Sequence, residues 1–148
     1  MKIVIGADHG GVETKKEIIK HLSEIRKIKE ILDIGTHSTD SVNYAEFGIE
    51  VAEIVANKEA DLGIVVCSTG EGISIAANKV KGIRCGLIYD DESARLTKEH
   101  NNCNVVSFGA KTMSVRDIIS RLDIFLSAKF EGGRHQVRLD YISQYEND

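Results

Sequence analysis

Four groups of residues in this chain have the types and spacing to do chemistry. The first is Cys67-Ser68-Thr69-Gly70-Glu71-Gly72, which follows the apolar run Leu62-Gly63-Ile64-Val65-Val66 and precedes Ile73-Ser74-Ile75-Ala76-Ala77. A buried strand, a glycine-bearing turn and a new helix stand back to back there. Such a turn offers free backbone N–H groups, and the helix N-terminus behind it adds partial positive charge. A thiol at its mouth can be acidified by the same field and carry a proton. The second group is Asp8-His9, just after the strand-like Lys2-Ile3-Val4-Ile5. The third is His100-Asn101, where an imidazole could act as general acid or base. The fourth is Arg134 and Arg138, four apart on a helical segment that opens after Gly132-Gly133. That spacing stacks two guanidiniums on one face, a shape suited to clamping phosphate.

Each group also has a plain structural reading. Cys67 could be an inert thiol under a tight turn. Asp8 could cap a helix, with His9 a surface imidazole. His100 could cap a helix C-terminus, with Asn101 in a left-handed conformation. The arginines could form a solvated face paired with Glu131 or Asp140. Taken together, a thiol, a histidine, a donor-rich turn and an arginine pair suit a small phosphorylated substrate whose reaction passes through an oxyanion. The central turn is neither a Walker A loop nor a dinucleotide fingerprint. No Gly-Lys-Ser/Thr follows it, and the third glycine is missing.

The elements that must position these groups alternate regularly. Strands are expected at residues 2–6, 30–34, 62–66, 83–88 and 104–108. Helices are expected from Val12, from Tyr44, after the central turn to about Val80, at 91–100, around Ile118–Leu126 and from Arg134 toward Tyr145. Alternation of this kind implies βαβ units and a mostly parallel sheet. The expected fold class is α/β, a three-layer doubly wound, Rossmann-like single domain spanning 1–148, with five parallel strands in the order 2-1-3-4-5 and a C-terminal helix. Ligands bind such sheets outside the carboxyl ends of the strands at the switch point, here between strands one and three. That places Asp8-His9 beside the Cys67 turn, and His100 is expected to face the same crevice from a carboxyl-end loop.

The net charge of −4 argues against a general nucleic-acid or membrane-surface binder. No apolar run approaches the roughly 20 residues that span a bilayer. Three scattered cysteines, Cys67, Cys85 and Cys103, suit reduced thiols in a cytoplasmic protein. No C-x-x-C or H-E-x-x-H pattern occurs, so neither a metal nor another cofactor is expected.

The chain resembles ribose-5-phosphate isomerase of the B type, kin to the galactose-6-phosphate isomerase subunits. The motifs are Ile5-Gly6-Ala7-Asp8-His9-Gly10-Gly11, Asp33-Ile34-Gly35-Thr36, Ser41-Val42-Asn43-Tyr44, the stretch Cys67–Lys79, Gly82-Ile83-Arg84, Glu99-His100-Asn101 and Phe130-Glu131-Gly132-Gly133-Arg134-His135. The resemblance implies a metal-free aldose–ketose isomerase acting on ribose 5-phosphate and ribulose 5-phosphate through a cis-enediolate. It implies Cys67 as the base, with Thr69 beside it, and His100 assisting ring opening. The amides of Ser68, Thr69, Gly70, Glu71 and Gly72 would hold the enediolate oxygens. Asp8 and Asn101 would bind sugar hydroxyls. His9, Arg134 and Arg138 would bind phosphate, with Lys111 where arginine is frequent. It also implies a homodimer, or a tetramer, with sites shared across the interface, so that His100, Asn101 and Lys111 serve another protomer's Cys67. The pattern departs at Ser68, where glycine is common, at Glu71, and at Asn43 and Ala45 around Tyr44. Glu71 is expected to face solvent or to pair with Lys79 or Lys111. The alternatives are a hexose 6-phosphate isomerase on the same scaffold, acting on allose or galactose phosphates, and a non-catalytic flavodoxin-like anion-binding module.

Overall fold

Strands flanked by helices on both faces must be apolar on both faces, and the two most continuous apolar runs become the centre of the sheet. A computed structural model describes residues 1–148. It contains β1 (Lys2–Ala7), a 3₁₀ turn (His9–Gly11), α1 (Val12–Leu22), β2 (Glu30–Asp33), α2 (Tyr44–Ala56), β3 (Leu62–Cys67) and α3 (Glu71–Asn78). There follow β4 (Cys85–Leu87), α4 (Asp91–Glu99), β5 (Val105–Gly109), α5 (Val115–Ser127) and α6 (Arg134–Asn147). All strand pairs are parallel.

The doubly wound α/β fold is as expected, but the sheet order is β2-β1-β3-β5-β4 rather than 2-1-3-4-5. Burial explains the exchange. Every residue of β5 is buried, whereas the three residues of β4 are only half-buried. A fully buried aliphatic or aromatic side chain contributes about 1.5–3 kcal/mol, so Val105, Val106 and Phe108 belong in the middle and the short, glycine-bearing β4 at the edge. The fourth strand is also shorter than the expected 83–88.

The core is split by the sheet. Ile64 and Val66 of β3 pack with Ile18 and Leu22 of α1 and Ile118 and Leu122 of α5. Val65 and Cys67 point the other way, with Val51 and Val55 of α2 and Ile73 and Ala77 of α3. Helices α2 and α3 approach closely because Gly48 has no side chain; a Cβ there would lie 2.8 Å from the Ile73 carbonyl oxygen. Caps set the helix starts. Asn43 accepts from the Ala45 N–H, Ser114 from the Asp117 N–H, and Asp90 forms a capping box with Ser93. Beneath α1, the buried Lys15 ammonium lies 2.7 Å from Asp33 at the end of β2.

Candidate active site

The Cys67 turn is built from beneath by β5. In the observed order, Cys67 at the carboxyl end of β3 pairs in register with Gly109. The Ala110 N–H donates to the Cys67 carbonyl and the Lys111 N–H to the Ser68 carbonyl, both at 2.9 Å. The buried Ser107 hydroxyl donates to the Gly70 carbonyl at 2.7 Å. Gly70 takes φ +80°, and a Cβ there would meet Leu87 Cδ1 at 2.7 Å and the Phe108 carbonyl carbon at 2.9 Å, so only glycine fits. Held this way, the turn aims its amides upward. The Gly70 N–H donates to Cys67 Sγ at 3.2 Å, and the Glu71 N–H to the Thr69 hydroxyl at 3.2 Å. The N–H groups of Ser68, Thr69 and Gly72 have no acceptor within the chain. An amide on the sulfur and the start of α3 both favour negative charge at this spot.

Asp8 and His9 form the opposite lip, as the switch-point argument requires. The Asp8 N–H donates to the Val66 carbonyl at 3.2 Å. Asp8 is buried, and its carboxylate accepts the Gly10 N–H at 2.9 Å, so it caps the 3₁₀ turn that leads into α1 rather than α1 itself, whose N-cap is Gly11. Gly10 lies against Ser68; a Cβ there would be 2.5 Å from the Ser68 hydroxyl. The Val42 N–H donates to His9 Nδ1 at 3.2 Å. A neutral His9 ring therefore carries its proton on Nε2, free to donate elsewhere. Tyr44, the first residue of α2, covers Gly72. Glu71 is exposed and pairs with neither Lys79 nor Lys111. Cys67 is 5% exposed, and the two largest hollows of the isolated chain, about 520 and 450 Å³, are lined by neither Cys67 nor Asp8. The Cys67 side chain is buried, packed in the cluster with Val65, Ile73 and Ala77.

The remaining residues gather at the other end of the sheet. The expectation that His100 faces the Cys67 crevice is corrected by the topology. Helix α4 runs antiparallel to the strands, so its end returns to their amino edge. There Arg84, just before β4, donates to the Asn101 carbonyl at 2.9 Å and the Asn102 carbonyl at 2.7 Å, and the Gly63 N–H donates to the Asn104 carbonyl. The length of β5 alone separates the two edges by about 13 Å. Asn102, not Asn101, takes the left-handed conformation, with φ 43°.

At this second edge the Glu131 N–H donates to the Glu99 carbonyl at 3.0 Å, docking the segment before α6 on the end of α4. The His100 and His135 rings stack with centroids 4.0 Å apart and planes 15° from parallel. Arg134 and Arg138 are exposed and unpaired; Asp140, an expected partner, instead accepts from Gln136. Lys111 belongs to the first edge, tied through its backbone to its own chain's Ser68. One chain thus presents two clusters: Cys67, the turn, Asp8, His9 and Lys111 at one end, and His100, Asn101, Arg134 and Arg138 at the other.

His100, Glu131 and His135 are the residues with metal-ligand chemistry that lie together. A metal sits in the plane of each imidazole that binds it, and two nearly parallel rings stacked face to face have no shared in-plane point at bonding distance. The donor set as arranged does not fit an ion. Sequence reasoning gave no role to His135, to Ser107 beneath the turn, or to Val42 on His9. His135 and Val42 lie in quoted motifs, but Ser107 carries no local signal.

A doubly wound sheet whose switch point joins a thiol, unfilled amides and an oriented imidazole is the architecture of an α/β enzyme. Residues 3–142 match the family model described as Ribose/Galactose Isomerase, and the chain belongs to that family. It is 42% identical over 145 residues to ribose-5-phosphate isomerase B of Escherichia coli K12, covering 98% of this chain and 96% of the relative. The structure of ribose-5-phosphate isomerase B from Clostridium thermocellum superposes with a TM-score of 0.96 at 45% identity, covering 99% of this chain and 98% of that one. That of Mycoplasma genitalium ribose-5-phosphate isomerase B with bound ribulose 5-phosphate gives 0.94 at 39% identity, covering 99% and 97%.

Proposed function

We propose that this chain is an aldose–ketose isomerase that interconverts ribose 5-phosphate and ribulose 5-phosphate through a cis-enediolate. The observation that carries the reading is the Cys67 sulfur held by the Gly70 N–H beneath the unfilled amides of Ser68, Thr69 and Gly72. Cys67 takes the C2 proton of the open-chain aldose, the O2 hydroxyl proton passes to O1, and Cys67 returns its proton to C1 as the C2 carbonyl forms. As the proton leaves, charge develops on O1, and the turn's amides meet it. A preorganised donor of this kind is worth about 3–4 kcal/mol by mutation. The Thr69 hydroxyl stands beside the base. Asp8 and Asn101 hold sugar hydroxyls. His9, Arg134 and Arg138 hold the phosphate, whose remote binding orients the reacting carbons, and Lys111 adds charge at the same lip.

His100 assists opening of the furanose. It cannot do so for its own chain's Cys67, because the sheet lies between them. The working site is therefore composite, with Cys67, Asp8 and His9 from one copy and His100, Asn101, Arg134 and Arg138 from a second, in a homodimer. Helix α6 supports this arrangement. Val137, Tyr141 and Tyr145 recur every fourth residue and are 68%, 76% and 80% exposed, an apolar stripe of the sort that a second copy covers. No helix is long and apolar enough to cross a membrane, and the reduced thiols suit a cytoplasmic enzyme.

The test follows conversion of ribose 5-phosphate and solvent exchange of its C2 proton, with allose and galactose 6-phosphates as competitors. Turnover lost in Cys67→Ser supports the reading. A higher kcat/KM on a six-carbon phosphate reassigns the substrate, and phosphate binding without turnover in the wild type leaves an anion-binding module.

A further inference from the structure

Glu131 and His135 have no part in the reaction just proposed, yet they enclose His100. His135 is 6% exposed, and its Nε2 is the buried side-chain nitrogen left without a hydrogen bond. Buried polar atoms are normally satisfied, so an orphan of this kind asks for a reason. The nitrogen lies 3.4 Å from Glu131 Oε1, and His100 Nε2 lies 3.5 Å from the same oxygen. The ring of His135 meanwhile covers the face of His100 at 4.0 Å.

We propose that His135 is a positioning residue for ring opening. Its buried ring, stacked on His100 and sharing Glu131 with it, fixes the orientation of the His100 imidazole and leaves His100 as the member of the pair that carries the proton. The inference rests on the reading of His100 as the acid of that step.

Charge places the proton. The groups that face His135 are His100 from the end of α4, Glu131 from the preceding loop, and Arg134 and Arg138 from α6. Burial, then His100 and Arg134, hold the His135 imidazole below the usual histidine range, with Arg138 adding to the effect and Glu131 opposing it. Two imidazoliums face to face would repel, so the stack carries at most one positive charge. His100 is a third exposed, can be solvated when charged, and has the Glu131 carboxylate at its edge. In ring opening the C1–O4 bond breaks and its electron pair goes to O4, which takes the proton from His100. The O1 hydroxyl loses its proton to water as the C1 carbonyl forms, and water then reprotonates His100.

Ribulose 5-phosphate separates this step from isomerisation. Its C5 hydroxyl is esterified and its C4 hydroxyl would close only a four-membered ring on C2, so it is always open-chain. In His135→Ala, turnover of ribose 5-phosphate should fall by about tenfold or more while exchange of the ribulose 5-phosphate C1 proton stays within about twofold of wild type. His135→Phe, which keeps a flat ring in the stack, should restore forward turnover. His135→Leu, which cannot stack, replaces the Ala variant if that one does not fold. Thermal melting and binding of inorganic phosphate verify that α6 stays in place. The proposal is overturned if neither rate falls, if both fall together, or if a folded Phe variant is as slow as the Ala variant. Wild-type protein that exchanges no C1 proton would instead defeat the isomerase reading itself.

Discussion

Gly70 donates its backbone N–H to the sulfur of Cys67 at 3.2 Å, across a turn that begins at one residue and is capped by the other. The contact ties a glycine constrained both by its φ of +80° and by its neighbours to the candidate base. Removing the sulfur while keeping the turn isolates the proton transfer. Cys67→Ser should bind sugar phosphate nearly normally and lose about 10²–10⁴-fold in C2 proton exchange. Exchange at the wild-type rate would name a different base, with Glu71 the next to test.

Disturbing the turn itself should cost both stability and activity. Gly70→Ala forces a side chain into φ +80° and against Leu87 and the Phe108 backbone. A loss of about 1–3 kcal/mol is expected from strain and crowding, read as a lower denaturant midpoint. A variant as stable as wild type would mean that the turn relaxes into another form.

Phosphate recognition should be separable from chemistry. Arg134→Ala should raise KM more than it lowers kcat, because the guanidinium has no carboxylate partner to leave behind and lies away from the reacting carbons. An unchanged KM removes Arg134 from the phosphate site.

Composite sites make a prediction that no single-chain site shares. Cys67→Ser and His100→Asn copies, each nearly inactive alone, should regain about a quarter of wild-type activity after mixing and subunit exchange, since half the dimers then carry one intact site of two. Absence of recovery in a verified mixed dimer would place His100 and Cys67 of one chain in one site.

The other two thiols supply the pH dependence. Burial, reinforced by Cys103, pushes the Cys85 thiol far up, and burial pushes Cys103 up to about 11, with Arg84 and Lys98 opposing. Both remain protonated near neutral pH, so a thiol reacting quickly there is Cys67, and sugar phosphate should slow its alkylation. The sign for stability follows. In the unfolded chain these thiols ionise near 9, so the stability they confer is complete below that pH and declines as pH rises toward 11. A denaturation midpoint that stays flat from about pH 8.5 to 11 would contradict the burial of these groups.

Local sequence determined a good deal. Continuous apolar runs marked the central strands and period-3.6 patterning the amphipathic helices, because apolar side chains must face a core wherever the chain runs. The turn at Cys67, the cap at Asp8 and the start of α6 before Arg134 were legible because glycine and capping chemistry act over a few residues. The meeting of Asp8-His9 with the Cys67 turn was also legible, since a parallel sheet allows few arrangements at its switch point. What only the tertiary structure decided was which strands lie side by side and which edge each loop reaches. β5 displaced β4 from the centre because burial is settled by competition among all strands at once. That exchange put Ser107 and Gly109 under the Cys67 turn. The end of α4 returned His100 to the far edge, beside His135 and the arginines, because a helix packed antiparallel on a strand reverses direction. Nothing within a few residues of His100 encodes that reversal, so the separation of His100 from its own chain's Cys67 turn appears only when the whole chain is packed.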